Sequence, residues 1–283
     1  WRAYFGLIGA MYREHPVRID IAGTIESIAK ITKETLYKCY ETFYHPSNML
    51  LFIVGGVDHE KMIQLVRDNQ AKKTYQVQEP IQRFYPQEPE ISGRQQQEIR
   101  LPVGIPKCLL GFREQKTGLV GDDFLKQEFV TQIALEALFG QSSDLYQRLY
   151  NDGLIDDQFG FDYVLENGYG FSMIGGDTRD PDELISRISQ ALPKYVQNGI
   201  SAQQFERLRK KKIGEFLRQL NSPEFIANQF TRYTFNKADL FRIVPVLESL
   251  HTEDVNERLH HHFDLNRLAI SMVRSLEKNA SDS

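Results

Sequence analysis

Two stretches of this sequence carry side chains of the kinds that bind metal ions or phosphate groups. Three consecutive histidines stand at 260–262, and the run RLRKKK at 207–212 holds five basic residues in six positions. Successive residues of a helix point about 100° apart, so three neighbouring histidines cannot converge on one ion. We therefore interpret the histidines as a solvated helix end and the basic run as the exposed face of a long helix.

The composition is that of an ordinary globular chain. The 283 residues are 41% hydrophobic and 25% charged, with a formal net charge of -4 at pH 7. That balance predicts binding to neither nucleic acid nor an anionic membrane. No apolar run reaches the roughly 20 residues of a membrane-spanning helix. Cys39 and Cys108 fall within a predicted helix and a predicted strand, so we expect both to be small core residues of a cytoplasmic protein.

One unit of the chain occurs twice. Residues 32–55 predict a capped helix, a break at a proline and an apolar strand. Residues 247–273 repeat this order, with Thr252 placed opposite Thr32, and an aromatic-rich helix precedes each copy. The shared order of four elements indicates two similar domains. Chance recurrence is the alternative, because helix-turn-strand is a common local unit.

We therefore predict an α+β fold of two similar domains, each an antiparallel sheet packed with helices, the first of them truncated. Residues 1–75 hold a single clear strand, at 49–54, and a lone strand cannot form a sheet. We interpret them as the C-terminal part of a first domain. Residues 76–94 are predicted to be an extended linker, and residues 95–283 a complete second domain. Ordinary domain sizes then imply that about 120 residues of the first domain lie upstream, so we expect this chain to be a fragment.

Local signals predict the elements of the second domain. Asn167-Gly168 is a strong turn signal between two apolar runs and predicts a hairpin. The predicted strands are 95–101, 107–114, 158–164 and 169–175, and the predicted helices of this part are 122–139, 144–150, 181–196 and 201–220.

Two segments resemble the insulinase/pitrilysin-type metallopeptidases, which carry an inverted zinc motif. The first runs from His15-Pro16 through GTIESI at 23–28 to the VGGVD that ends at Asp58. The second, FGQSSDLYQRLYNDG at 139–153, is similar to the family segment Gly-x-x-Ser-x-Leu, which continues with Phe or Tyr, two further residues, Leu or Ile, and Arg. The chain resembles the bacterial processing-peptidase-like branch, over essentially its whole length.

The resemblance implies two similar α+β domains per half-molecule, in agreement with the internal repeat, and zinc-dependent peptide hydrolysis. The family motif His-x-x-Glu-His provides two zinc ligands and a Glu that activates water. None of the seven histidines belongs to such a motif. We expect no metal, no other cofactor and no catalytic residue in this chain. Zinc is expected in the full-length parent if its upstream motif is intact.

Arg148 is the substrate-binding candidate that the resemblance suggests. In the family, an Arg on the helix after the Ser-x-Leu turn, with a Tyr seven positions later, holds the substrate backbone. An Arg fork suits carbonyl and carboxylate groups. Here the seventh position is Ile155, so the pair is incomplete. A salt bridge to Asp152 at i+4 is the alternative, and the one that the sequence favours.

We interpret the chain as the C-terminal portion of a zinc-dependent peptidase that hydrolyses peptides or small proteins in a closed chamber. It would supply chamber wall and a domain interface. A second peptidase-like half or sibling subunit, in a homo- or heterodimer, would enclose the peptide substrate. One alternative is a non-catalytic scaffold subunit of a heteromeric peptidase-like assembly. Another is an independent binding module, complete as given.

Overall fold

A computed structural model describes residues 1–90 and 93–276, so parts of the predicted linker (91–92) and of the predicted second domain (277–283) lie outside the described residues. Its centre is one five-stranded sheet. The strands are β1 (Gln95–Leu101), β2 (Lys107–Arg113), β3 (Gly160–Glu166), β4 (Tyr169–Asp177) and β5 (Leu268–Ser275).

The sheet order is β1-β5-β2-β4-β3. Every neighbouring pair is antiparallel except β1, which runs parallel to β5. The predicted hairpin is confirmed: Glu166 pairs with Tyr169 across the Asn167-Gly168 turn. Gly175, at φ 145°, sits where an added Cβ would lie 2.0 Å from the Cys108 carbonyl oxygen, so this close strand contact requires glycine.

Helices make up most of the remaining chain. Before the sheet they are α1 (Arg2–Met11), α2 (Ile25–Ile28), α3 (Lys33–Phe43) and α4 (His59–Gln70). Within and after it they are α5 (Gly121–Phe139), α6 (Asp144–Asn151), α7 (Pro181–Asn198), α8 (Ala202–Gln219), α9 (Pro223–Phe235), α10 (Ile243–Ser249) and α11 (Thr252–His262).

The main hydrophobic core lies on one face of the sheet. Helix α5 runs through its centre and is apolar around most of its circumference, as expected of a helix surrounded by protein. It packs against β3, α8, α10 and α11. Strand residues such as Leu110 and Ile270 complete this core and are fully buried. The long predicted helix at 122–139 is therefore confirmed, and its burial explains why most of its residues are apolar.

The other face of the sheet is covered by α1. Leu7, Ile8 and Met11 are fully buried and form a second core with Phe171 of β4 and Ala269 of β5. Small residues let the helix approach closely, because a Cβ at Gly6 would overlap the Ser271 hydroxyl. The first helix of the chain therefore shares a core with the sheet of residues 95–276.

A polar clamp holds the end of α1 in place. The backbone N–H groups of Arg13, Glu14 and His15 all donate to the Glu88 carboxylate, at 2.9 Å and 2.7 Å for the first two. Arg113, at the end of β2, donates to the Met11 carbonyl at 3.4 Å and lies 3.4 Å from Glu88 Oε2. These contacts join the first helix, the segment before β1 and the sheet.

The structure supports the repeated unit and corrects its register. Helix α3 and helix α11 both have 11 residues, and in each case two residues separate the helix from a three-residue 3-10 turn. The capping residues have nearly the same backbone, φ -91° and ψ 55° at Tyr44 and φ -95° and ψ 57° at Phe263. The two copies are therefore related by a constant shift of 219 positions, so Thr32 corresponds to His251. The predicted match with Thr252 was wrong by one residue.

The first copy departs from two further predictions. Residues 49–54 are extended but belong to no sheet, because no strand lies beside them among the described residues. Cys39, predicted to be buried, is exposed for the same reason: the side of α3 that carries it has nothing packed on it. Cys108 is fully buried, as predicted, and burial raises its pKa to about 12.

Replacement of one isoleucine tests the docking of α1. Ile8→Ala should lower the free energy of unfolding by about 2–5 kcal/mol, because it removes a fully buried side chain and leaves a cavity. The same change at Ile21, which is fully exposed, should have little effect. Urea denaturation followed by circular dichroism measures both. Equal stability of the two variants would show that α1 is not part of the core.

Candidate functional site

Arg148 lies on the exposed side of α6. Its Nε donates to the Asp144 carbonyl one turn earlier at 3.1 Å, and its terminal nitrogens make no hydrogen bond to any other described residue. The favoured salt bridge to Asp152 is wrong. Helix α6 ends at Asn151, and the Asp152 carboxylate turns to Arg187 of α7, 2.9 Å away.

A shallow groove of about 280 Å³ separates α6 from α7 beside this arginine. Leu145 and Leu149 form its apolar floor, and Arg148, Arg187 and Lys194 stand along it. Such a groove can accept an extended chain through carbonyl or carboxylate groups. In the family segment the arginine directly follows the Leu or Ile position. In this chain Leu149 fills that position, and the residue that follows it is Tyr150 instead of an arginine. Arg148 therefore faces the groove from a position two residues earlier.

The largest group of buried polar side chains lies elsewhere, at the end of β2. Glu114 and Arg258 of α11 form an ion pair with both side chains at least nine-tenths buried. Arg258 Nε also donates to Thr131 of α5 at 2.7 Å, and the Tyr163 hydroxyl of β3 lies 2.5 Å from Glu114 Oε2. One carboxylate and one guanidinium thus join four elements of the domain.

His262 completes this group. Its Nδ1 lies 2.9 Å from Arg258 and its Nε2 lies 2.8 Å from the Ser172 hydroxyl of β4. A guanidinium has only donors, so Nδ1 must accept and the proton of the neutral ring must be on Nε2. The interpretation of all three histidines as a solvated helix end was wrong for His262, which is buried, while His260 and His261 are exposed.

The surroundings fix the protonation states of the group. Burial alone would raise the pKa of Glu114, but the charge of Arg258 and the hydrogen bonds from Arg258 and Tyr163 lower it to about 2. Burial, reinforced by the charge of Arg258, lowers the pKa of His262 to about 3. Burial and the neighbouring carboxylate raise the pKa of the Tyr163 phenol well above its ordinary value.

These groups have no capacity left for acid-base chemistry at neutral pH. Glu114 also accepts from the backbone N–H groups of Gln115 and Lys116, at 2.9 Å and 3.1 Å. Each member of the group is thus committed to protein partners, and the pKa values of the carboxylate and the imidazole lie far from 7. We conclude that the group holds these elements of the domain together.

Three further features of the described residues concern the basic run, metal ligands and membrane-spanning helices. The basic run at 207–212 is mostly exposed, as predicted, and is paired within its own domain: Lys211 lies 2.8 Å from Glu136 and Arg209 lies 2.9 Å from Glu206. Within residues 1–90 and 93–276, no group of three or more His, Cys, Asp or Glu side chains is placed to hold a metal ion. No helix in the part of the chain that the structure describes is long and apolar enough to cross a membrane.

Comparisons with known proteins agree on one family. A family model described as the Peptidase M16 inactive domain matches residues 30–212. A Bacillus subtilis protein described as an uncharacterized zinc protease, YmfH, is 52% identical over 273 residues, which make up 96% of this chain and 64% of that protein.

Solved structures show the same architecture. The crystal structure of an M16-like peptidase from Alicyclobacillus acidocaldarius has a TM-score of 0.90 at 38% identity, over 97% of this chain and 66% of that one. A protease from Helicobacter pylori shares the fold, with a TM-score of 0.80 at 18% identity, over 93% of this chain and 64% of that one. The chain therefore spans about two thirds of the length of these relatives.

The pKa of His262 predicts a specific loss of stability in mild acid. Below pH 6.5 the unfolded chain binds a proton at this histidine, whereas the folded chain does not until about pH 3. In that window the unfolded state holds more protons, so the free energy of unfolding falls with falling pH, by up to about 1.4 kcal/mol per pH unit. Glu114 adds to the loss only below about pH 4.5.

Burial also lowers the pKa of His15, so the contribution of His262 between pH 6.5 and 5 is isolated by comparing the wild type with variants. His262→Gln should reduce the pH dependence relative to the wild type, whereas His260→Gln, on the exposed side of the same helix, should leave it unchanged. Equal slopes for the wild type and His262→Gln would contradict the buried neutral imidazole.

Proposed function

The chain belongs to the M16 peptidase family, and from that premise we propose that it forms the non-catalytic part of a zinc-dependent peptidase. It contributes part of the wall of a chamber in which peptides or small proteins are hydrolysed. It also contributes the interface between two domains. The described residues do not fit a zinc ion, so no step of the hydrolysis is assigned to them. The zinc site of this proposal belongs to the upstream part of a longer protein.

The contrast between the two copies of the repeated unit carries the proposal. At matched positions, Leu36 is 60% exposed and Val255 is fully buried, and Leu51 is 65% exposed whereas Ile270 is fully buried. In the second copy, the strand β5 lies between two other strands. It runs parallel to β1 and antiparallel to β2.

Contiguous apolar surface of this kind marks a place where another polypeptide packs. We infer that the first copy lacks two strands and the helices around them, and that a further segment of the same protein supplies them. A second peptidase-like half or sibling subunit then closes the chamber over a peptide substrate. Neither cysteine is in a disulfide, which supports the proposed cytoplasmic location.

A non-catalytic scaffold subunit is the second candidate. It is consistent with the match of residues 30–212 to a model of the inactive domain, since these residues contain no His-x-x-Glu-His motif. The roughly 150 codons that precede Trp1 in the gene decide between the candidates. An intact His-x-x-Glu-His favours the peptidase, and its absence favours the scaffold.

Enzymatic assays of two proteins test the proposal. The protein encoded by the longer reading frame should contain one zinc per chain and cleave a quenched fluorescent peptide, and a chelator should abolish the cleavage. Residues 1–283 alone should do neither, because they lack a metal-binding group among the described residues. Stoichiometric zinc in residues 1–283, measured by elemental analysis, would overturn the proposal.

Arg148 provides a test of the chamber wall. We propose that its free terminal nitrogens contact the backbone of bound peptide, so Arg148→Ala in the longer protein should lower kcat/KM for a peptide by about tenfold through loss of a charge-assisted hydrogen bond. Arg218→Ala, an exposed arginine on α8, is the matched control. The melting temperature should not change for either variant. Unchanged kcat/KM for Arg148→Ala would remove this residue from the proposal.

A further inference from the structure

The groove between α6 and α7 differs in charge from the chain as a whole. The chain carries a formal net charge of -4. Three of the residues that line the groove are basic, namely Arg148, Arg187 and Lys194. No acidic residue is among those that line it in the described part of the chain. The groove is therefore a basic site on an acidic chain, and such a site attracts anionic groups.

Two of these three cations have no acidic partner. Arg148 hydrogen-bonds to a backbone carbonyl, and neither Arg148 nor Lys194 makes an ion pair with any described residue. Arg187 differs, because Asp152 and Glu183 both bind it, at 2.9 Å and 2.6 Å. Two positive charges in the groove are therefore available to a ligand.

The two helices run antiparallel along the groove. Asp152, which follows α6, contacts Arg187 in the first half of α7, whereas the start of α6 lines the same cavity as Tyr195 near the end of α7. Arg187 and Lys194 are seven positions apart, which is about 10 Å along a helix. Arg148 lies midway along α6, on the other side of the groove. The basic groups thus follow the length of the groove, over a distance that about three residues of an extended peptide span.

The floor of the groove is apolar and fixed. Leu145 and Leu149 are buried and belong to the main core, so close packing holds them in place. Gln190 and Asn198 add side-chain amides along α7, and amides can hydrogen-bond a peptide backbone. Guanidinium and ammonium groups hold carboxylates by charge-assisted hydrogen bonds. A peptide with acidic side chains uses all of these features, whereas a small anion would leave the floor and the amides without contacts.

We propose that the groove between α6 and α7 binds an extended peptide segment that carries acidic side chains, with Arg148 and Lys194 as its cationic partners. The inference deepens the proposed function and rests on it in one respect: the segment belongs to a peptide enclosed by the chamber. The groove then favours acidic peptides as substrates.

Direct binding to residues 1–283 tests the site without any hydrolysis. The probes are two pentapeptides with blocked ends, Ala-Glu-Ala-Glu-Ala and the uncharged isostere Ala-Gln-Ala-Gln-Ala. Calorimetry at low ionic strength should give a Kd roughly tenfold lower for the glutamate peptide, and added salt should reduce this ratio by screening. Arg148→Gln and Lys194→Gln should each reduce the ratio about threefold. Both side chains are exposed, so neither replacement should change the melting temperature.

Two replacements outside the groove are the matched controls. Arg218→Gln and Lys210→Gln each remove an exposed basic side chain from α8 and should leave the ratio of affinities unchanged. An equal reduction in the control and groove variants would show a general charge effect and overturn the proposal. A reduction in Lys210→Gln alone would move the binding to the basic run at 207–212 and would also overturn it.

The wild-type result separates this proposal from the proposed function. Equal affinity for both peptides, or no binding of either at millimolar concentration, would overturn the acidic-peptide site. If the longer protein nevertheless cleaves peptides, the proposed function stands without this site. If residues 1–283 prefer the glutamate peptide but the longer protein cleaves nothing, the groove stands as a site for acidic peptides and the proposed function fails.

Discussion

The ion pair between Glu114 and Arg258 is the interaction on which the arrangement of the second domain depends. It joins the end of β2 to α11, and through Thr131 and Tyr163 it reaches α5 and β3. Two buried charges in a core are tolerated only when every donor and acceptor is satisfied, and loss of one partner costs about 3–5 kcal/mol. The partners here are complete, so the pair fixes one relative position of these elements. The same contacts hold Glu114, Tyr163 and His262 in fixed positions and fixed protonation states.

The sheet that this pair anchors needs protein on both faces. Its own helices cover one face, and α1, from the start of the chain, covers the other. The clamp around Glu88 holds the end of that helix against β2 through Arg113. The first part of the chain is therefore tied to the second, while α3 and residues 49–54 keep the backbone of a sheet-forming unit without a sheet. This combination is the physical basis for the proposal that the chain is one part of a larger peptidase.

Much of the second domain could be predicted because its signals are local. Asn167-Gly168 fixes the hairpin, α7 begins at its predicted residue, and α8 begins one residue after its predicted start. The buried group could not be found this way, since Glu114 and Arg258 lie 144 positions apart and each alone resembles a surface charge. Arg258 and His262 at i+4 were the available signal, hidden by the run of three histidines.

Tertiary contacts also decide the other differences. The run 49–54 has strand composition but no neighbouring strand among the described residues, although Phe52 stacks on Phe230 of α9. The Asp152 carboxylate pairs with Arg187 instead of Arg148.

Helix α1 packs on the folded sheet, and we propose that residues 33–66 pack on another segment of polypeptide in the longer protein. Hydrogen–deuterium exchange, measured on residues 1–283 and on the longer encoded protein, tests it most directly. The account predicts equal protection of α1 and β5 in both proteins, and protection of residues 33–66 in the longer protein only. Equal protection of residues 33–66 in both proteins, or rapid exchange of α1 in residues 1–283, would contradict it.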